Sequence, residues 1–150
     1  MTTTEPETET PTEDDELQAL GEQLLHTART SPVRTVVQAL VEEQTILSAP
    51  AVRQALILHT DDGEMAHLEG LAGHVFSLGL DKGQRSFLCL VLSMVGIGMT
   101  AIAAVRELDE RQLQILLRAI LRLAGNDTIA VGTRLPLRRN RRTDVEGNDQ

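Results

Sequence analysis

The chain has 150 residues, 22 acidic and 14 basic side chains, one cysteine, and no Tyr or Trp. That length is one domain's worth; a single Cys excludes an intrachain disulfide or a cysteine zinc cluster, and two Phe as the whole aromatic complement argue against base-stacking platforms and aromatic cages. Residues 1–16 carry seven acids and no base, residues 17–125 eleven acids and nine bases, and residues 126–150 five arginines and four acids, so the acidity lies in the N-terminal tail and the near-neutral middle offers no global pull on nucleic acid.

The opening "MTTTEPETETPTEDDE" lacks the basic start and apolar stretch of a secretory signal. It has little apolar surface to bury, so residues 1–14 are expected to be a disordered acidic tail. A first helix is expected from about Asp14 or Asp15, with Leu17, Leu20, Leu24, Leu25 and Ala28 on one stripe. "TSPVR" ends it and starts a second, with Ser31 as N-cap and Pro32 in the first turn. Val33, Val36, Val37, Leu40, Val41 and Leu47 should face inward, and Arg34, Gln38, Glu42 and Glu43 outward. "SAPAVRQALILHT" repeats the pattern: Ser48 caps a short helix running to about His59. Asp61 to Gly63 read as a turn, followed by a fourth helix carrying Met65, Leu68, Leu71, Ala72, Val75 and Phe76. Gly70 and Gly73 would each cost this helix about 1 kcal/mol, which suggests close approach of a neighbour. No strand pattern stands out.

Asp81 caps the helix that enters "SFLCLVLSMVGIGMTAIAAV", an uncharged run over 86–105. The run is long enough to span a bilayer. Gly96 and Gly98 divide it, however, and the expected result is two core helices, the second capped by Thr100, with Cys89 buried between them. Asp109 caps a last helix, "ERQLQILLRAILRLAG", closed by Gly125. Arg118 and Arg122 lie near its C-terminus, where the helix dipole favours cations. Its polar face is narrow, so neighbours should cover most of it. Residues 126–150 lack periodicity and read as an extended arm and an Arg-rich disordered tail.

No pattern of catalytic or ligand-binding residues stands out. "HTDDGEMAH" gathers His59, Asp61, Asp62, Glu64 and His67, but its spacing fits neither an EF-hand nor a zincin. It reads as a solvated turn. His67 and His74 share a face and read as structural or surface histidines. "VGIGMT" lacks the third glycine and the preceding strand of a dinucleotide fingerprint. A helix-turn-helix over 50–76 would present "EMAHLEGLAGHV", with two Glu and no Arg or Lys, to DNA. Arg134, Arg138, Arg139, Arg141 and Arg142 form a candidate contact for an anion or an acidic partner. Weak pairing with the acidic N-terminal tail is the other use of these arginines.

The sequence thus predicts an all-α fold: a compact bundle of five to six helices with disordered N- and C-terminal tails, the single helical domain covering 15–125. The expected function is a small non-enzymatic interaction or regulatory module in the cytoplasm, binding another protein or itself. No metal and no cofactor are expected. The alternatives are a single-pass membrane protein spanning about 86–105, and nucleic-acid or anionic-surface binding through the C-terminal arginines.

Overall fold

A computed structural model describes residues 10–135. The disorder expected for residues 1–9 and 136–150 lies outside the described residues, as do Arg138, Arg139, Arg141 and Arg142.

The chain is mostly helical, with one small hairpin. In order it forms α1 (Glu13–Thr27), α2 (Ser31–Glu43), α3 (Pro50–Leu56), β1 (Ile57–Thr60), β2 (Gly63–Ala66), α4 (Lys82–Ser93) and α5 (Glu110–Leu123). Short 3-10 turns at Leu68–Leu71, Val75–Ser77 and Ile102–Glu107 fill the connections. α2 is the hub and touches α1, α4 and α5. Its Val36, Val37, Ala39 and Leu40 are buried against Leu24 of α1, Phe87 and Leu88 of α4, and Ile115 and Leu116 of α5, in a core that also takes in Ile46, Leu47, Val52, Leu56, Leu68 and Leu71.

Local capping explains where the helices begin. α1 starts at Glu13, because Thr12 and Asp15 form a capping box that satisfies two N–H groups. The last two residues assigned to the acidic tail therefore belong to a helix. α4 and α5 open the same way, with Asp81 paired to Gln84 and Asp109 to Gln112. The N-cap of α2 is Thr30, with Ser31 already helical. Ser48 does not cap α3 either. Its hydroxyl donates to the Gln44 carbonyl at 2.9 Å, and Ala49 occupies the cap position.

The fourth helix expected from Met65 onward does not form, and the fold is not purely α. Ile57 to Ala66 make an antiparallel hairpin around Asp61 and Asp62, pairing Ile57 with Ala66 and His59 with Glu64. The Thr27 hydroxyl ties it to α1 by donating to the Glu64 carbonyl at 2.9 Å. Gly70 explains why the apolar spacing misleads. A Cβ there would overlap the Ala55 carbonyl oxygen of α3, so the backbone presses against α3 through a 3-10 turn.

The uncharged run does not form one helix. α4 ends at Ser93, and Gly96 and Gly98 take φ of 76° and 72°. Gly96 N–H returns to Ser93 and Ile97 N–H to Leu92, the two bonds of a Schellman closure. The first half of the run is core. The second half is a surface 3-10 turn packed on α4, with Met99 fully exposed and Ile102 largely so. Thr100 caps nothing; its hydroxyl donates to the Cys89 carbonyl at 3.2 Å, and Cys89 is only partly buried. Among the described residues, no helix is long and apolar enough to cross a membrane.

Candidate functional site

The most constrained polar group is Glu43, expected to face solvent and instead fully buried. One carboxylate oxygen accepts from Ile46 N–H at 2.9 Å; the other accepts from the Thr45 hydroxyl and lies 3.3 Å from the Arg111 guanidinium. Arg111 also donates to the Glu42 and Glu43 carbonyls, closing the end of α2 with groups from α5. Gln84 of α4 reaches the Thr45 hydroxyl at 3.0 Å. The cluster surrounds Gln44, the one non-glycine residue with positive φ among the described residues, at φ 68° and ψ −45°. Thr45 N–H bonds to the Glu43 carbonyl across it at 2.8 Å, making a γ-turn of the strained hand. Such strain persists only where the surroundings over-determine it. Glu43, Thr45, Gln84 and Arg111 are thus engaged with one another and with the backbone, while the buried Oε2 of the neighbouring Glu42 has no hydrogen-bond partner among the described residues.

The turn ends at Ser48, and there a different feature begins. α1, the start of α3 and the hairpin enclose a cleft of about 680 Å³, within the range typical of ligand pockets. Its apolar lining is the half-buried Leu17 and Leu20 from α1 and Ile57 from β1, with the exposed Pro50 at the start of α3. Its exposed edge is acidic, with Glu13, Asp14 and Glu16 from the first turn of α1, and the half-buried Glu64 of β2 also lines it. The first-turn acids favour the positive end of the α1 dipole. None of those three pairs with a cation among the described residues. Arg53 is the cation in the wall, and it donates to the Leu47 and Ser48 carbonyls at 2.9 and 3.0 Å. His59 stands 3.6 Å from Glu64 and is largely exposed.

The polar cluster read from "HTDDGEMAH" is dispersed around the hairpin. Among the described residues no three of His, Cys, Asp and Glu are placed to hold a metal ion. His67 faces Glu69 at 3.5 Å, and His74 lies in the connection beyond. Arg134 is exposed at the end of the described arm. That arm is fastened by Thr133, whose hydroxyl accepts from Gln114 of α5 at 3.1 Å.

α5 is not covered as fully as its composition predicts: Leu117, Ile120 and Leu123 are each about two-fifths exposed. Fully burying a Leu or Ile gains about 1.5–3 kcal/mol, so covering the stripe on both of two copies would gain roughly 4–7 kcal/mol. Association itself costs about 4–15 kcal/mol. The stripe alone does not hold two copies together, and the cleft is the better-built surface.

Sequence reasoning missed both Glu43 and the cleft. A signal for Glu43 existed: it follows Leu40 by three residues and Val36 by seven, on the inward stripe of α2. The cleft had none, because its walls come from two segments apart in the chain, residues 13–20 and 48–64. In comparisons with protein-family models, curated proteins and solved structures, nothing matches this chain.

Proposed function

We propose that the protein is a small non-enzymatic helical module that binds another protein, or a copy of itself, through the cleft between α1, α3 and the hairpin. The observation that carries this reading is a cleft lined by aliphatic side chains beside α1 carboxylates that have no cationic partner among the described residues. Leu17, Leu20 and Ile57 favour an aliphatic side chain, and Glu13, Asp14 and Glu16 favour Arg or Lys beside it. The fitting ligand is a basic segment with interspersed aliphatic residues.

The non-enzymatic part of the reading rests on the polar groups. Glu43, Thr45, Gln84 and Arg111 are held by one another and by backbone. His59 lies largely open to solvent at the hairpin, where water competes for any proton it exchanges with the half-buried Glu64. The free Cys89 suits a reducing compartment, and the cytoplasm is the proposed setting.

The test is a paired affinity capture from the native cell, using the full chain and its Glu13→Lys/Glu16→Lys variant. Proteins bound by the parent at about 0.1 M salt should be lost from the variant, because surface electrostatics still act at that Debye length. An identical captured set from both chains refutes the cleft as the binding surface.

A further inference from the structure

We infer that the outward face of α4 is a peripheral docking surface for an anionic lipid membrane, with Phe76 entering the interface on one side of the helix and Met99 and Ile102 on the other. This face uses elements other than those of the cleft and is independent of that reading.

The geometry starts from α4. Its Phe87, Leu88, Leu90, Val91 and Leu92 are buried, and Ser86, Cys89 and Ser93 form the opposite, half-buried ridge. Two surface segments pack against this helix. The 3-10 turn Val75–Ser77 meets it at Arg85, whose guanidinium lies 5.2 Å from the centre of the Phe76 ring. The turn Ile102–Glu107 runs back along it, with the Thr100 hydroxyl on the Cys89 carbonyl and the Glu107 carbonyl against Gly83. Gly83 and Arg85 are two residues apart, hence about 200° apart around the helix, so the two segments flank the ridge on opposite sides.

The apolar side chains of this face stand clear of it. Phe76 is 87% exposed, Ile102 70%, and Met99 fully so. Protein partners gain most from anchors enclosed in fitted pockets. A bilayer takes protruding apolar side chains without a matching shape, because lipid rearranges around them.

Charge selects the kind of membrane. From residue 70 to residue 106 the one acid is Asp81, whose carboxylate accepts the Gln84 N–H in capping α4. Lys82, Arg85 and Arg106 are the cations. Lys82 neutralises Glu107 at 3.2 Å, and neither arginine pairs with a carboxylate among the described residues. Anionic headgroups attract such cations beside an apolar surface. The same arginines disfavour a second copy, since a two-fold contact sets each patch against itself.

Flotation of the full chain with vesicles tests the proposal. At about 0.1 M salt the parent should float with vesicles of equal parts phosphatidylglycerol and phosphatidylcholine, and at least about tenfold less with phosphatidylcholine alone. Met99→Ser/Ile102→Ser keeps every charge and alters only exposed side chains, so its helical circular dichroism should match the parent. Its partition onto the anionic vesicles should fall about tenfold or more, and that of Phe76→Ser about fivefold. Ile129→Ser, an exposed apolar position on the arm beyond α5, is the matched control and should change nothing. Cys89, the one cysteine of the chain, supplies a readout on the ridge itself. Its alkylation by a charged maleimide should slow at least about threefold in the vesicle-bound parent, because the bilayer covers it. No flotation of the parent overturns the proposal and leaves the face to an acidic protein. Equal flotation of parent and both serine variants also overturns it, since attraction of the arginines in residues 134–142 alone would give that result. So does a loss in Ile129→Ser as large as in Met99→Ser/Ile102→Ser, or unchanged Cys89 alkylation in the bound parent.

Discussion

Replacing Glu43 tests whether one buried carboxylate holds the α2–α4–α5 junction. Glu43→Ala leaves the Ile46 N–H without its acceptor, and an unsatisfied buried donor costs about 1–3 kcal/mol. It also removes the acceptor of the Thr45 hydroxyl and the partner of Arg111. Breaking a buried pair costs about 3–5 kcal/mol when the remaining charge stays buried. Arg111, however, is 49% exposed, so water can solvate its guanidinium and the low end applies. The expected loss is about 3 kcal/mol for Glu43→Ala and about 1–1.5 kcal/mol for Glu43→Gln, whose amide oxygen still accepts from Ile46. The chain has no Trp or Tyr, so urea unfolding should be followed by circular dichroism at 222 nm. With a slope near 2 kcal/mol per molar urea, the midpoint of Glu43→Ala should fall by about 1.5 M. A midpoint within about 0.25 M of the parent would refute the reasoning. Combining Glu43→Gln with Arg111→Met should cost less than the sum of the two by about 1 kcal/mol, since each removes the same contact.

Other substitutions probe the neighbouring features. Gln44→Gly relieves a left-handed γ-turn and should raise stability by about 1 kcal/mol after the entropy of glycine is subtracted; a lower urea midpoint would contradict the strain. Gly70→Ala drives a Cβ into the Ala55 carbonyl and should lower stability by about 2 kcal/mol or more, whereas a parent-like melting curve would mean the backbones part freely. Burial pushes the Cys89 thiol up despite the opposing pull of Arg85. Its alkylation at mildly alkaline pH should therefore be slower in the folded chain than in urea, and an equal or faster rate would count against that environment. The unfolded thiol ionises first, so its contribution to stability is present below the ordinary thiol range and is lost as pH rises through it; the Cys89→Ser variant should lack that alkaline decline.

Some of this molecule is local, and the sequence alone determined it. Asp81 and Asp109 cap α4 and α5 because a side chain three residues from its N–H partner needs no tertiary contact. Gly125 closes α5, with Asn126 N–H returning to Leu121, for the same reason. The inward stripes of α1 and α2 follow from helical periodicity. Where the outcome depended on what a residue packs against, local pattern misled. Met65, Leu68, Leu71 and Val75 keep helical spacing, yet the approach of Gly70 to Ala55 breaks the helix and the Gly63 turn folds its start into a hairpin. Glu43 carries a surface residue's charge, but Arg111, distant in sequence, closes over it. The cleft is the extreme case. Leu17, Pro50, Ile57 and Glu64 each have an ordinary local role, and only the docking of the hairpin against α1 through Thr27 makes them one surface. A binding site assembled from separated segments has no periodicity of its own, because its geometry is set by tertiary contacts that local sequence patterns do not encode.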